Sequence, residues 1–301
     1  MMALLLLILW GPVLLATGIA FALRLTLLRR APRMGARDAV IAAVVGGVPT
    51  VIVVAPRAGT FGMGPALWWD LGQQAALPLI LGIIGIVLLS LPARSAQMSA
   101  SAQLTPRTVR TFLRLRGPIV LALLVALTLT LTVAAGAASE TDDLGRHTLF
   151  TITLGTSGTS ASTGIYGWYH SLPSLALLAA LVVVAVLAWL RIPRPPWGED
   201  IAHDTAVRRT RADNISRLAC GAVLLHLAVV LHSLRGTASV MLSAPANDLG
   251  MISLGTPFAA MEPALFVAAT VATVAGLALW LLTALSGIPL GARRQAPVPT
   301  S

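Results

Sequence analysis

The chain is 301 residues long, 56% hydrophobic and only 11% charged, with a formal net charge of +10. So apolar a chain leaves no gap long enough to build a separate soluble core, and its charge reads as arginine facing anionic lipid, not as a nucleic-acid surface. All 21 basic residues are arginine; without lysine there is neither a retinal Schiff base nor a P-loop, which excludes retinal chemistry and nucleotide hydrolysis through that motif.

Seven apolar stretches follow in chain order at about 2–23, 37–56, 74–93, 117–138, 171–190, 216–235 and 263–286. Each has the roughly 20 residues that cross about 30 Å of hydrocarbon. All arginines except Arg57, Arg146 and Arg235 fall in the first, third and fifth gaps or in the tail, and the positive-inside rule makes those segments cytoplasmic. The expected fold class is an all-α integral membrane protein of the cell membrane with seven transmembrane helices, N-terminus outside and C-terminus in the cytoplasm. It occupies residues 1–290, with a disordered cytoplasmic tail at 291–301. The first stretch reads as a retained helix. Ala20-Phe21-Ala22 has the form of a signal-peptidase site, but the positive charges follow the apolar run instead of preceding it.

Gly46-Gly47 in the second stretch and Gly82 and Gly85 in the third suit close helix packing in lipid, and Pro49 suggests a kink. Trp10, Trp168 and Trp189 lie near expected membrane surfaces, as interfacial anchors do. Thr105–Thr156 aligns without a gap on Thr205–Thr256, an offset of 100 residues, with Gly-x-Ala-Ser and Ile-x-Leu-Gly-Thr in both copies. This suggests three repeated helical hairpins, from the first to the sixth stretch, with the seventh unpaired. Between the fourth and fifth stretches, Thr148–Thr156 alternates like a strand, followed by a turn at Ser157–Thr163 and then Gly164–Tyr169. Asn247–Thr256 offers a shorter counterpart, so a small extracellular β-cap is expected over the helices.

Three groups are candidate functional residues. His232 and Arg235 are i, i+3 neighbours near the outer surface, and Glu262 at the mouth of the seventh stretch is their best counter-charge. They read as an ion pair tying two helices together, or as an external ligand or ion site. Tyr166, Trp168, Tyr169 and His170 form the densest aromatic cluster, either an interfacial belt or an outer contact surface. On the inner side Glu199–Arg217 reads as a short amphipathic surface helix on which Arg208, Arg209 and Arg211 offer a docking face for a cytoplasmic partner.

Other motifs carry less. Gly155-Thr156-Ser157-Gly158 matches the tetrapeptide around the nucleophile of rhomboid-type proteases, but it lies in a Ser/Thr/Gly-rich outer loop and not at the start of an apolar helix. His226 and His232 are six residues apart, about 240° around a helix, so they do not make a haem or metal pair, and hydrogen bonding to a neighbouring helix is the expected role of a bundle histidine. Cys220, the single cysteine, reads as a small packed apolar residue. No acid stands in the central part of any apolar stretch, which disfavours a proton or sodium relay. No cofactor is expected, and the chain reads as non-enzymatic.

At Tyr166–His170 with Leu172-Pro173, and at Leu231–Ser239, the chain resembles uncharacterised actinobacterial polytopic membrane proteins often encoded beside ATPase subunits of ABC transporters. The resemblance implies a membrane-embedded permease or accessory subunit of an ABC-type export system, working with a separate cytoplasmic ATPase subunit. The alternative is a membrane structural or assembly factor, or a sensor with an extracellular ligand surface.

Overall fold

The computed structural model describes residues 2–26, 32, 34–59, 69–91, 108–154, 159–194, 200–246 and 250–288. The helices are α1 (Met2–Thr26), α2 (Ala36–Gly59), α3 (Leu71–Ser90), the one-turn α4 (Val109–Phe112), α5 (Arg116–Ala137), α6 (Trp168–Arg191), α7 (Ile201–Ala238) and α8 (Glu262–Ser286). Among the described residues six helices, α2, α3, α5, α6, α7 and α8, are long and apolar enough to cross a membrane, and the apolar part of α1 is Trp10–Thr26. The chain is thus a helical, multi-pass membrane protein. The tail at 291–301 lies outside the described residues.

One helix organises the rest. α7 runs unbroken for 38 residues, about 57 Å at 1.5 Å per residue. Its apolar window is 78% buried against 28–50% for the other five spans, so α7 is the core and the others surround it. This corrects the expectation of a separate surface helix at Glu199–Arg217. Asp200 caps the start of α7 by accepting from the His203 N–H at 3.0 Å, and neither glycine nor proline interrupts the sequence before Gly221. The polar half of the helix is kept inside because its polar groups find partners there.

Helix contacts do not follow the order of the expected hairpins: α8 packs on α7, α1 and α2, whereas α1 and α2 touch each other little, and α3 packs on α7 and α6. Small residues set these contacts. Gly46 of α2 lies against the backbone of α8 at Trp280 and Ala284, and Gly276 of α8 faces Gly221 and Leu225 of α7. Trp280 fills the space between, fully buried, its indole N–H donating to the Leu218 carbonyl at 3.2 Å.

Strands cover one end of the bundle. β1 (Glu140–Thr141), β2 (His147–Leu154) and β3 (Thr159–Gly164) form an antiparallel sheet, and β4 (Met241–Ala246) pairs with β5 (Gly250–Gly255). β2 and β3 register from Leu149 opposite Gly164 to Leu154 opposite Thr159. The strand read at Thr148–Thr156 is therefore present as β2. Part of the turn read at Ser157–Thr163 is instead β3, since its threonines pair across the sheet as β-branched residues do, while 155–158 lie outside the described residues. Gly164–Tyr169 divides between the end of β3 and the start of α6. Phe150 meets Phe258 edge-to-face at 5.6 Å, linking the two hairpins. Each hairpin follows the same helix end: Ser139 donates to the Gly136 carbonyl at 2.6 Å after α5, and Ser239 to the Gly236 carbonyl at 2.8 Å after α7.

Candidate functional site

At the strand-covered end, residues of α2, α3, β3, α7 and α8 line a cavity of about 690 Å³. Its walls come from Val53 and Pro56 of α2, from Trp69, Gln74 and Pro78 at the start of α3, from Thr163 of β3, and from the Leu225–Gly236 face of α7. On α7 the lining positions are 225, 228, 229, 232, 233 and 236. These fall on one helical stripe. The volume lies within the range of small-molecule sites, as does the mix of apolar wall and few polar groups.

Behind this wall sits a buried polar pair. His226 is 1% exposed, and its Nδ1 lies 2.8 Å from the Ala75 carbonyl of α3, the interhelical hydrogen bond expected of a bundle histidine. Tyr166, fully buried, meets the His226 ring edge-to-face at 6.0 Å. Burial pushes the Tyr166 phenol up to about 12, partly offset by the Ser174 hydroxyl. It stays neutral under ordinary conditions.

The first candidate group divides. Arg235 Nε donates to Glu262 Oε1 at 2.5 Å, and the Arg235 guanidinium stands 4.5 Å from the Phe266 ring centroid. That pair ties α7 to α8. His232 turns the other way, into the cavity wall.

The aromatic cluster divides as well. Tyr166 points inward and Trp168 packs against Gly136 of α5, while Tyr169 is 49% exposed beneath the Arg146 guanidinium, 5.1 Å from its ring centroid. Tyr169 also meets His170 edge-to-face at 5.0 Å. Tyr166 therefore lies outside any surface made by Tyr169 and His170. Arg146 belongs to the β1–β2 turn, where Asp142 takes the Arg146 and Leu144 N–H groups, both at 2.9 Å, and the Arg146 side chain at 2.8 Å. The Arg146 N–H first, then its side chain, the Leu144 N–H and Thr148, hold the Asp142 carboxyl down at about 2.

At the opposite, arginine-rich end the three docking candidates have unequal surroundings. Arg208 is 8% exposed, bonded to Asp204 at 3.0 Å and to the Ile192 carbonyl at 3.1 Å, with Phe112 beneath it. Arg211 pairs with Asp38 of α2 at 3.1 Å. Arg209 is exposed and donates to the Thr111 carbonyl at 3.2 Å. All three thus join α7 to its own bundle, and only Arg209 does so from an exposed position.

Sequence reasoning missed the α7 stripe, because small residues such as Ala212, Ala219, Gly221 and Ala222 recur along the whole helix and do not mark it. It also missed Arg24, which caps the end of α8 through the Leu285 carbonyl at 2.9 Å and the Ile288 carbonyl. Among the described residues no group of three or more His, Cys, Asp or Glu side chains is placed to hold a metal ion. No family model, curated protein or solved structure matches the chain.

Proposed function

We propose that this is a non-enzymatic membrane protein that crosses the cell membrane seven times, N-terminus outside and C-terminus in the cytoplasm, and binds a small molecule at its outer, strand-covered end. The cavity of about 690 Å³ among α2, α3, α7 and α8 carries the reading. The arginine distribution supports the orientation, and the matching ends of α5 and α7 support an internal duplication. In this reading the chain senses or retains its ligand. Below the cavity the buried Trp280 and the close approach of Gly276 to Gly221 and Leu225 fill the space between the helices.

Native mass spectrometry of protein extracted in mild detergent tests this. Wild type should carry a small-molecule adduct that Ala228→Trp, which fills the cavity, lacks. The same adduct on both proteins would remove the reading. A C-terminal alkaline phosphatase fusion should be inactive, and an active one would reverse the topology.

A second reading keeps the chain as the membrane subunit of an export system with a separate ATPase. It is favoured by the length of α7, which exceeds the roughly 20 residues needed to cross and leaves its first turns, with Arg209, to stand beyond the bilayer. An ATPase that co-purifies with wild type and is lost on Arg209→Glu would move this reading ahead.

A further inference from the structure

The cavity walls change character with depth. Leu225 and Gly236 are eleven residues apart on α7, about 16 Å along its axis. Trp69, Gln74, Thr163, His232 and Ser233 lie toward the strand-covered mouth, and Val53, Leu77, Leu225, Ala228 and Thr273 lie deeper. Hydrogen-bonding groups therefore concentrate in the outer part, while in the inner part the Thr273 hydroxyl is turned back onto its own helix at the Ala269 carbonyl, 2.8 Å away.

Several charged groups of this end are engaged away from the cavity. Arg235 is bonded to Glu262, Arg146 to Asp142, and the Asp70 carboxylate to the Gln73 N–H at the cap of α3. Among the described residues no arginine, aspartate or glutamate lines the cavity. An ionic head of either sign placed there loses its water and meets no carboxylate or guanidinium among these side chains, whereas an uncharged head exchanges water for the amide, hydroxyl and imidazole groups of the wall.

We infer that the cavity receives an uncharged single-chain amphiphile, its hydrogen-bonding head among Gln74, Thr163 and Ser233 and its chain directed along α7 toward Leu225. This inference rests on the ligand-binding reading and specifies the class of ligand. Such a molecule comes either from the surrounding membrane or from outside the cell, and the chemistry of recognition is the same.

The test is native mass spectrometry of delipidated protein titrated with three probes of equal chain length: monolauroylglycerol, laurate and dodecyltrimethylammonium. Monolauroylglycerol should form a 1:1 adduct, with laurate and the ammonium probe weaker by about tenfold or more. Val267→Phe, on the exposed face of α8, should leave that adduct unchanged, and Ala228→Phe should abolish it. If Ala228→Phe does not fold, Val53→Trp blocks the cavity from the opposite wall. A lipid already present before delipidation identifies a membrane source; binding only of added probe identifies an external one. Equal binding of all three probes, blocked by Ala228→Phe, overturns the inference and leaves the ligand-binding reading intact. Adducts that survive both blocking variants, or no adduct with any probe, overturn both.

Discussion

The two halves of the helix bundle use the same helices differently. In the half toward the arginine-rich end, α2, α7 and α8 meet through Gly46, Gly221 and Gly276, with Trp280 between them and no space left for a ligand. In the half under the strands α7 and α8 stay packed through Leu227, Leu231, Leu265 and Ala269, and residues of α2, α3, α7 and α8 line a cavity of about 690 Å³. α7 and α8 thus stay together along both halves, and the cavity lies on the face of α7 that turns toward α2 and α3.

The sharpest way to break this arrangement is a single methyl group. A Cβ at Gly46 would run into the backbone of α8, while one at Gly47, the next residue on α2, meets nothing within 4 Å. Gly46→Ala should destabilise the bundle by about 1–3 kcal/mol, the usual cost of overpacking. Gly47→Ala should be neutral or stabilising by up to about 1 kcal/mol, since alanine is the better helix residue. Thermal unfolding in detergent separates them. Equal effects would mean that the close approach at Gly46 does not hold the tight half together.

Much of the helical framework was legible in advance because hydropathy and length are local properties. The sequence reading of α3, α5, α6 and α8 differs from the structure by a few residues at either end. What escaped it depends on partners far along the chain. Arg208, Arg209 and Arg211 made the first half of α7 read as an amphipathic surface helix, yet Arg208 is enclosed by Asp204, Ile192 and Phe112, and Asn214 donates to Ser286 at 2.8 Å. Hydrophobic periodicity carries no information about such pairings. Tyr166 was grouped with its exposed neighbours by proximity in sequence, whereas the chain turns inward between β3 and α6 and buries it on His226. The Arg235–Glu262 pair was readable because both residues lie at adjacent helix mouths with few competitors.

That pair offers a smaller test of the open half, where it ties α7 to α8 beside Phe266. Both side chains are about a third exposed, so solvent screens the pair and its coupling should be modest, about 0.5–1 kcal/mol. Arg235→Ala and Glu262→Ala should each lower the unfolding temperature, and the double variant should lose less than their sum. Strict additivity would show that the two side chains do not interact in solution and that apolar packing alone holds α7 to α8 in this half.

The smallest effect concerns the cover of that half. Asp142 closes the β1–β2 turn through bonds from Arg146, Leu144 and Thr148, and these hold its carboxyl near 2 in place of the ordinary 3.8. A depressed carboxyl stabilises the turn above its unfolded value, and the contribution disappears as pH falls toward the folded value. The Leu144 and Arg146 amides should therefore keep their hydrogen-exchange protection, relative to intrinsic rates, down to about pH 4 and lose it progressively between there and about pH 2. The helix contacts at Gly46, Gly276 and Trp280 should not respond, because they contain no carboxylate. Asp142→Asn should weaken protection in the turn at every pH and remove the titration. Protection that instead fell away with a midpoint at the ordinary carboxylate value would show that the turn's bonds do not persist in solution, leaving the cover of the cavity without its own anchor.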